Sequence, residues 1–163
     1  MYNILVIGKM GEGKSTFVRN YIANRNCAVF DVQNEYKELS TIKTDARYRN
    51  TTCNVQSFIT DCGKRMNTVC VFEEATGFFQ GAMSTDTTRL IISKRHTQNV
   101  NIFIFHSISA VPPRIAQLVD FVVLYKTSDE PYQVEKKYPS MYGAYLRLAN
   151  MPRYSHEIIK LTS

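Results

Sequence analysis

The chain has 163 residues, 44% of them apolar and 21% charged, which suffices for one substantial core and argues against global disorder. Its 20 basic and 14 acidic residues leave a net charge of +6, compatible with a polyanionic partner without requiring one. The longest apolar runs, "NIFIF" and "FVVLY", are far too short to cross a bilayer, and the opening "MYNILVIG" lacks the charged leader of a secretory signal, so a soluble, cytoplasmic protein with no membrane partner is expected.

In chain order, strands are predicted at 3–8, 27–32, 68–74, 101–107 and 120–126, with a further one over 156–161. The middle runs are apolar on successive residues, as expected for strands covered on both faces. Helical patterns fall between them at 14–25, 54–65, 84–98 and 112–119, the last opened by Pro112 and Pro113. This alternation predicts an α/β fold with a mostly parallel sheet and helices on both faces. Residues 128–155, rich in tyrosine and proline, fit either a helix-bearing appendage or a surface for a neighbouring subunit. Cys27, Cys53, Cys62 and Cys70 form no C-x-x-C pair and have no histidine cluster nearby, so reduced thiols are expected, with neither zinc nor a disulfide.

The strongest motif is Gly8-Lys9-Met10-Gly11-Glu12-Gly13-Lys14-Ser15, which satisfies G-x-x-x-x-G-K-[ST] between a strand and a helix. Glycines let the backbone curl so that its N–H groups face a phosphate, and the following helix adds its positive end. Lys14 is expected to reach the β- and γ-phosphates and the Ser15 hydroxyl to bind Mg²⁺, with Thr16 completing the nucleotide-binding stretch. A second motif, "TVCVFEEA", puts Glu73 and Glu74 at a strand end. Successive strand residues face opposite ways, so both acids can serve one site only where the strand twists out. There Glu73 would hold Mg²⁺ through its water shell and Glu74 would polarise the attacking water; the alternative is a pair of exposed carboxylates.

Together these segments resemble the HerA/FtsK superfamily of P-loop ATPases, in particular its viral and phage genome-packaging members. The likeness rests on the phosphate loop, on "VFDVQNEY" (29–36), on "VCVFEEA", and on "SKRHTQNVNIFIFHS" (93–107), and spans residues 2 to about 127. It implies an ASCE/RecA-like P-loop NTPase core over 1–127 and a C-terminal extension over 128–163 packed on it, a single domain overall. It further implies ATP and Mg²⁺ as cofactors, a homo-oligomeric ring (hexamer or pentamer), double-stranded DNA gripped by its phosphates without sequence reading, and a capsid portal or vertex as a further partner in a host cytoplasm. By the same resemblance Arg95 is the arginine that enters a neighbour's site, with Arg89 and Lys94 as alternatives; otherwise the basic pair caps its helix. The sensor strand, which commonly ends in glutamine in these families, here ends Phe105-His106-Ser107, leaving His106 or Ser107 to meet the γ-phosphate or the water.

Candidate pore loops are 41–51, with Lys43, Arg47 and Arg49, and 76–85. The leading expectation is therefore an ATP-hydrolysing motor that packages a viral or phage genome. The alternatives are a small P-loop kinase acting on a nucleotide or metabolite, and a phage assembly ATPase that does not move DNA.

Overall fold

The computed structural model describes residues 1–37, 39, 54–79 and 83–161, and the backbone of 47–50. In chain order the elements are β1 (Asn3–Ile7), α1 (Lys14–Ile22), β2 (Cys27–Phe30), β3 (Arg47–Asn50), α2 (Val55–Lys64), β4 (Val69–Phe72), α3 (Ala75–Phe78), α4 (Thr85–Ile92), α5 (Lys94–Thr97), β5 (Val100–Phe105), α6 (Pro113–Ala116), β6 (Phe121–Tyr125), α7 (Pro131–Lys137), α8 (Pro139–Ala149) and β7 (His156–Lys160). The strands form one seven-stranded sheet in the order β3-β2-β4-β5-β1-β6-β7. All pairings are parallel except β6 with β7. β5 lies between the phosphate-loop strand β1 and the acidic strand β4, so the strand leading to His106 is flanked by both.

The two faces of the sheet are chemically distinct. Leu5, Phe30, Phe72, Phe103 and Phe105 project to one side and pack under α2, α4 and α8, whereas Val6, Val29, Val71, Ile102 and Ile104 project to the other, under α1. Alternation along each strand produces this division, since neighbouring side chains point to opposite faces. On the aromatic side, Phe72 and Phe103 stack with centroids 5.0 Å apart, while Phe58 and Phe79 meet them edge-on at 5.2 and 5.5 Å. Buried asparagines pin the edge of the sheet where the parallel strands begin. The Asn3 amide donates to the carbonyls of Ile91 and Leu118 (3.0 and 2.9 Å), closing the C-terminal end of α4, and Asn101 Nδ2 donates to Asn3 Oδ1 at 2.9 Å.

The expected helix over 84–98 is two helices. Ser84 caps the start by accepting from Thr87 N at 3.1 Å, but Ser93 leaves helical geometry (ψ 0°), and Gln98 ends the second piece in the left-handed region (φ 56°). The expected helix over 112–119 is the single turn α6. β3 falls inside 41–51, expected to be a loop; Arg47 and Arg49 are on this edge strand, and Lys43 is outside the described residues, as are 80–82 in the second candidate loop and Cys53. Cys27, Cys62 and Cys70 are buried and take part in no disulfide among the described residues. Residues 128–155 contain α7 and α8, which join at Tyr138 and lie against the aromatic face through Val134, Met141, Ala144 and Leu148.

Removing the ring of Phe103, at the centre of that face, should destabilise the fold by about 3–5 kcal/mol through lost burial and an unfilled cavity. Denaturant unfolding of Phe103→Ala measures this; a loss below about 1 kcal/mol would mean that this face is not the packed core.

Candidate functional site

The phosphate loop leaves β1 between two neighbouring strands. Gly8 N donates to Phe105 O at 3.1 Å and Lys9 N to Lys126 O at 2.9 Å, so the loop mouth is bonded to the ends of β5 and β6. Gly8 has no substitute there, because a Cβ would lie 2.5 Å from the Cβ of Tyr125. Gly11 and Gly13 both take left-handed backbone (φ 78° and 96°), which L side chains avoid, and Gly13 caps α1. The curl surrounds a cavity of about 400 Å³ whose walls include Lys14, Ser15, Glu73, Glu74 and His106. Met10, Gly11, Gly13 and Thr16 also face it.

Lys14 is buried (6% exposed), and its Nζ donates to Lys9 O at 3.0 Å, with His106 Nδ1 3.5 Å away. Burial lowers the pKa of the ammonium, against the opposing pull of Glu73 and Glu74. A buried cation with a single carbonyl acceptor and a histidine nitrogen at hand is suited to phosphate oxygens, which would satisfy its remaining donors. Glu12 is turned away from this cavity. Its carboxylate is buried, pairs with Lys9 at 3.7 Å and accepts from Tyr154 N at 3.4 Å.

The acids sit just past the end of β4. Glu73 N still donates to Phe30 O (3.2 Å), whereas Glu74 adopts φ 55°, ψ 34°, and this left-handed step sends both side chains into the same cavity. Burial raises the Glu73 pKa, opposed by the hydrogen bond from Tyr36. Tyr36 is fully buried and donates to Glu73 Oε1 at 2.7 Å. Burial and then the Glu73 charge push its phenol well up, so it remains a donor. Asp31 fixes this tyrosine by accepting from the backbone N–H groups of Glu35 and Tyr36 at 2.8 and 3.0 Å. The "DVQNEY" segment thus acts through the turn after β2: its aspartate holds the turn and its tyrosine holds the first acid.

His106 Nε2 lies 2.9 Å from both carboxylate oxygens of Glu74, and its backbone N–H donates to Thr76 Oγ1 at 3.1 Å. Ser107 is directed elsewhere; its hydroxyl accepts from Ala110 N at 3.3 Å. Arg95 is exposed on α5, beside the edge where the parallel strands begin and so across the sheet from the phosphate loop. Arg89 is exposed on α4, and Lys94 pairs with Asp120. None of these three lines the phosphate cavity of its own chain. Sequence reading gave no site role to Arg19, Gln33, Glu35 and Tyr154, which do line it, though Gln33 and Glu35 belong to the quoted "VFDVQNEY" segment. Arg19 was legible in principle, lying one helical turn after Ser15 on the same face.

The fit to a divalent cation rests on Ser15 and Glu73, a hydroxyl and a buried carboxylate that both line the cavity. No cluster of three or more ligating side chains occurs among the described residues. A site offering one carboxylate and one hydroxyl suits Mg²⁺, which keeps several waters and takes further oxygens from phosphates.

Fold and loop geometry together are those of the P-loop NTPase fold, a mostly parallel sheet with a glycine loop between β1 and α1. Among solved structures the chain is similar to the genome packaging NTPase B204 of Sulfolobus turreted icosahedral virus 2 in complex with ATP-gammaS, at 15% identity and TM-score 0.81, covering 98% of this chain and 91% of that one. It is also similar to B204, the DNA-packaging ATPase of Sulfolobus turreted icosahedral virus, at 14% identity and TM-score 0.79 over 99% and 98%. The N-terminal domain of zonular occludens toxin from Neisseria meningitidis aligns at 13% identity and TM-score 0.50 over 83% and 89%. At these identities the likeness shows a shared fold. No protein-family model and no curated protein sequence matches the chain.

A carboxyl whose folded pKa exceeds its unfolded one stabilises the fold below the unfolded value and loses that contribution as pH rises through the folded value. Wherever Glu73 is ionised, its charge is therefore a net cost to the ligand-free fold. Glu73→Gln keeps an acceptor for Tyr36 and removes the charge, so the ligand-free protein should melt about 2–4 °C higher at pH 7, with the gain vanishing toward pH 4. Thermal unfolding across pH reads this, and a lower Tm at neutral pH would contradict it.

Proposed function

We propose that this chain is an ATP-hydrolysing motor that translocates double-stranded DNA into a viral or phage capsid. The observation that carries the hydrolytic half is the second acid, Glu74, held in the phosphate cavity by His106 at 2.9 Å. A carboxylate so placed can accept the proton of a water that attacks the terminal phosphorus, while the bond to the β–γ bridging oxygen breaks and that oxygen leaves on ADP. Bound Mg²⁺, held by Ser15 and through water by Glu73, would supply charge neutralisation on the phosphates. Lys14 exchanges its contact with Lys9 O for phosphate oxygens. His106 keeps the Glu74 carboxylate oriented through Nε2 and presents Nδ1 toward Lys14.

The motor half is supported by the likeness, over nearly the whole chain, to packaging NTPases solved with ATP-gammaS and with AMPPCP. No helix among the described residues is long and apolar enough to cross a membrane. Arg95, too far round the sheet to serve its own cavity, takes the role of a finger that completes a neighbour's site, which requires a ring, hexameric or pentameric. A portal or vertex protein would anchor that ring. DNA phosphates would be met by Arg47 and Arg49 of β3 and by the segment 76–85.

The test is steady-state ATP hydrolysis with and without long double-stranded DNA. Turnover should rise with DNA and fall at least about a hundredfold in Glu74→Gln, the scale of a lost general base. Arg95→Ala subunits mixed into wild-type rings should depress turnover more than in proportion to their share. Turnover indifferent to DNA but dependent on a small phosphate acceptor would sink the motor and favour a kinase.

A further inference from the structure

A second cavity, of about 490 Å³, opens beside the phosphate cavity and shares Gly13, Thr16 and Tyr154 with it. Beyond that shared rim its walls are mainly aromatic, with the Glu12 carboxylate among them. Phe17 and His156 meet with ring centroids 5.6 Å apart, and Tyr125 and His156 at 5.0 Å, while Asn20 adds an amide at the rim. Its size is within the range of small-molecule sites, and its flat apolar walls with a few polar edges suit a planar heterocycle.

The C-terminal turn forms one side of it and is bonded to the phosphate loop. Arg153 Nη2 donates to Gly11 O at 3.3 Å and Tyr154 N donates to Glu12 Oε2 at 3.4 Å. Tyr154 is 60% exposed and is held at φ 69°, a conformation that bulky residues avoid. That backbone places its ring over the loop, where a Cβ on Gly13 would come within 3.4 Å of Tyr154 Cδ1. Such strain persists only where the surroundings enforce it, here by the bonds from the turn to the phosphate loop.

We propose that this second cavity seats the purine base of the nucleotide, with the exposed Tyr154 as the stacking wall that the C-terminal turn brings to it. The proposal rests on the phosphate-site reading above. Glu73, Glu74 and His106 mark the end where the terminal phosphate lies, so the nucleoside leaves the cavity on the side of Gly13 and Thr16, which is where the two cavities join. Stacking area favours purines over pyrimidines, and Asn20, which both donates and accepts, suits adenine and guanine alike.

Calorimetric binding of ATP, CTP and inorganic tripolyphosphate to the full chain tests this, in wild type, Tyr154→Ala and His156→Ala. Wild type should bind ATP more tightly than either other ligand. Tyr154→Ala should weaken ATP by about tenfold, the scale of one base–aromatic stack, and leave tripolyphosphate unchanged. His156→Ala should shift ATP in the same direction. Equal weakening of ATP and tripolyphosphate would place the role of Tyr154 in the phosphate loop and overturn the base seat, as would unchanged ATP affinity in both variants. A wild type that binds ATP no better than tripolyphosphate would also overturn it. Failure of wild type to bind tripolyphosphate at all would instead strike the phosphate-site reading itself.

Discussion

The site depends on how tightly the chain is drawn in where β1 ends. Gly8 N bonded to Phe105 O and Lys9 N bonded to Lys126 O bring the ends of β5 and β6 against the same loop, with no room for a side chain at residue 8. From this follow the position of His106, one residue past Phe105, and the packing of Tyr125 beneath the glycines. The sheet order completes the arrangement, because β5 separates β1 from β4 and so carries His106 to a point between Lys14 and Glu74.

Around that point the protein keeps opposite charges close but incompletely paired. Lys14 has a carbonyl for a partner where a carboxylate would be expected, and Glu73 has a phenol. Burial moves both groups toward their neutral forms, lysine downward and glutamate upward. A polyphosphate and a divalent cation would supply the missing charges, so interaction energy withheld from folding becomes available for binding. The buried Asp31 turn and Tyr36 are the scaffold that keeps Glu73 from relaxing into a self-satisfied contact.

How much of this was legible in the sequence varied with the range of the interaction. The phosphate loop could be read because its spacing is local, and the strands of the parallel core could be read because burial on both faces makes them continuously apolar. The position of Glu74 was half legible: a strand end was visible, the left-handed step that turns it inward was not. Tyr36 stood out as part of a motif, but its bond to Glu73 links residues 37 apart in sequence and no spacing rule reports it. β3, with the sequence Arg-Tyr-Arg-Asn, carries no apolar signature because it is an edge strand held by backbone pairing to β2. The break at Ser93 was hidden by a helical pattern that runs on through it. Tyr154 was illegible for a different reason: it reaches the phosphate loop only because antiparallel β7 follows it and anchors the turn to β6.

The placement of β1 has a consequence for how the chain is made. Its partners are distant, with Asn3 opposite Asn101 and Ile4 opposite Phe121, so β1 leaves the ribosome well before the strands it pairs with. At synthesis rates of about 5–20 residues per second, it waits on the order of ten seconds with its apolar residues unpaired. During that interval the phenylalanines of β2 and β4 are also without their full cover. Pairing β1 requires closing loops of about a hundred residues, the kind of non-local contact that slows folding.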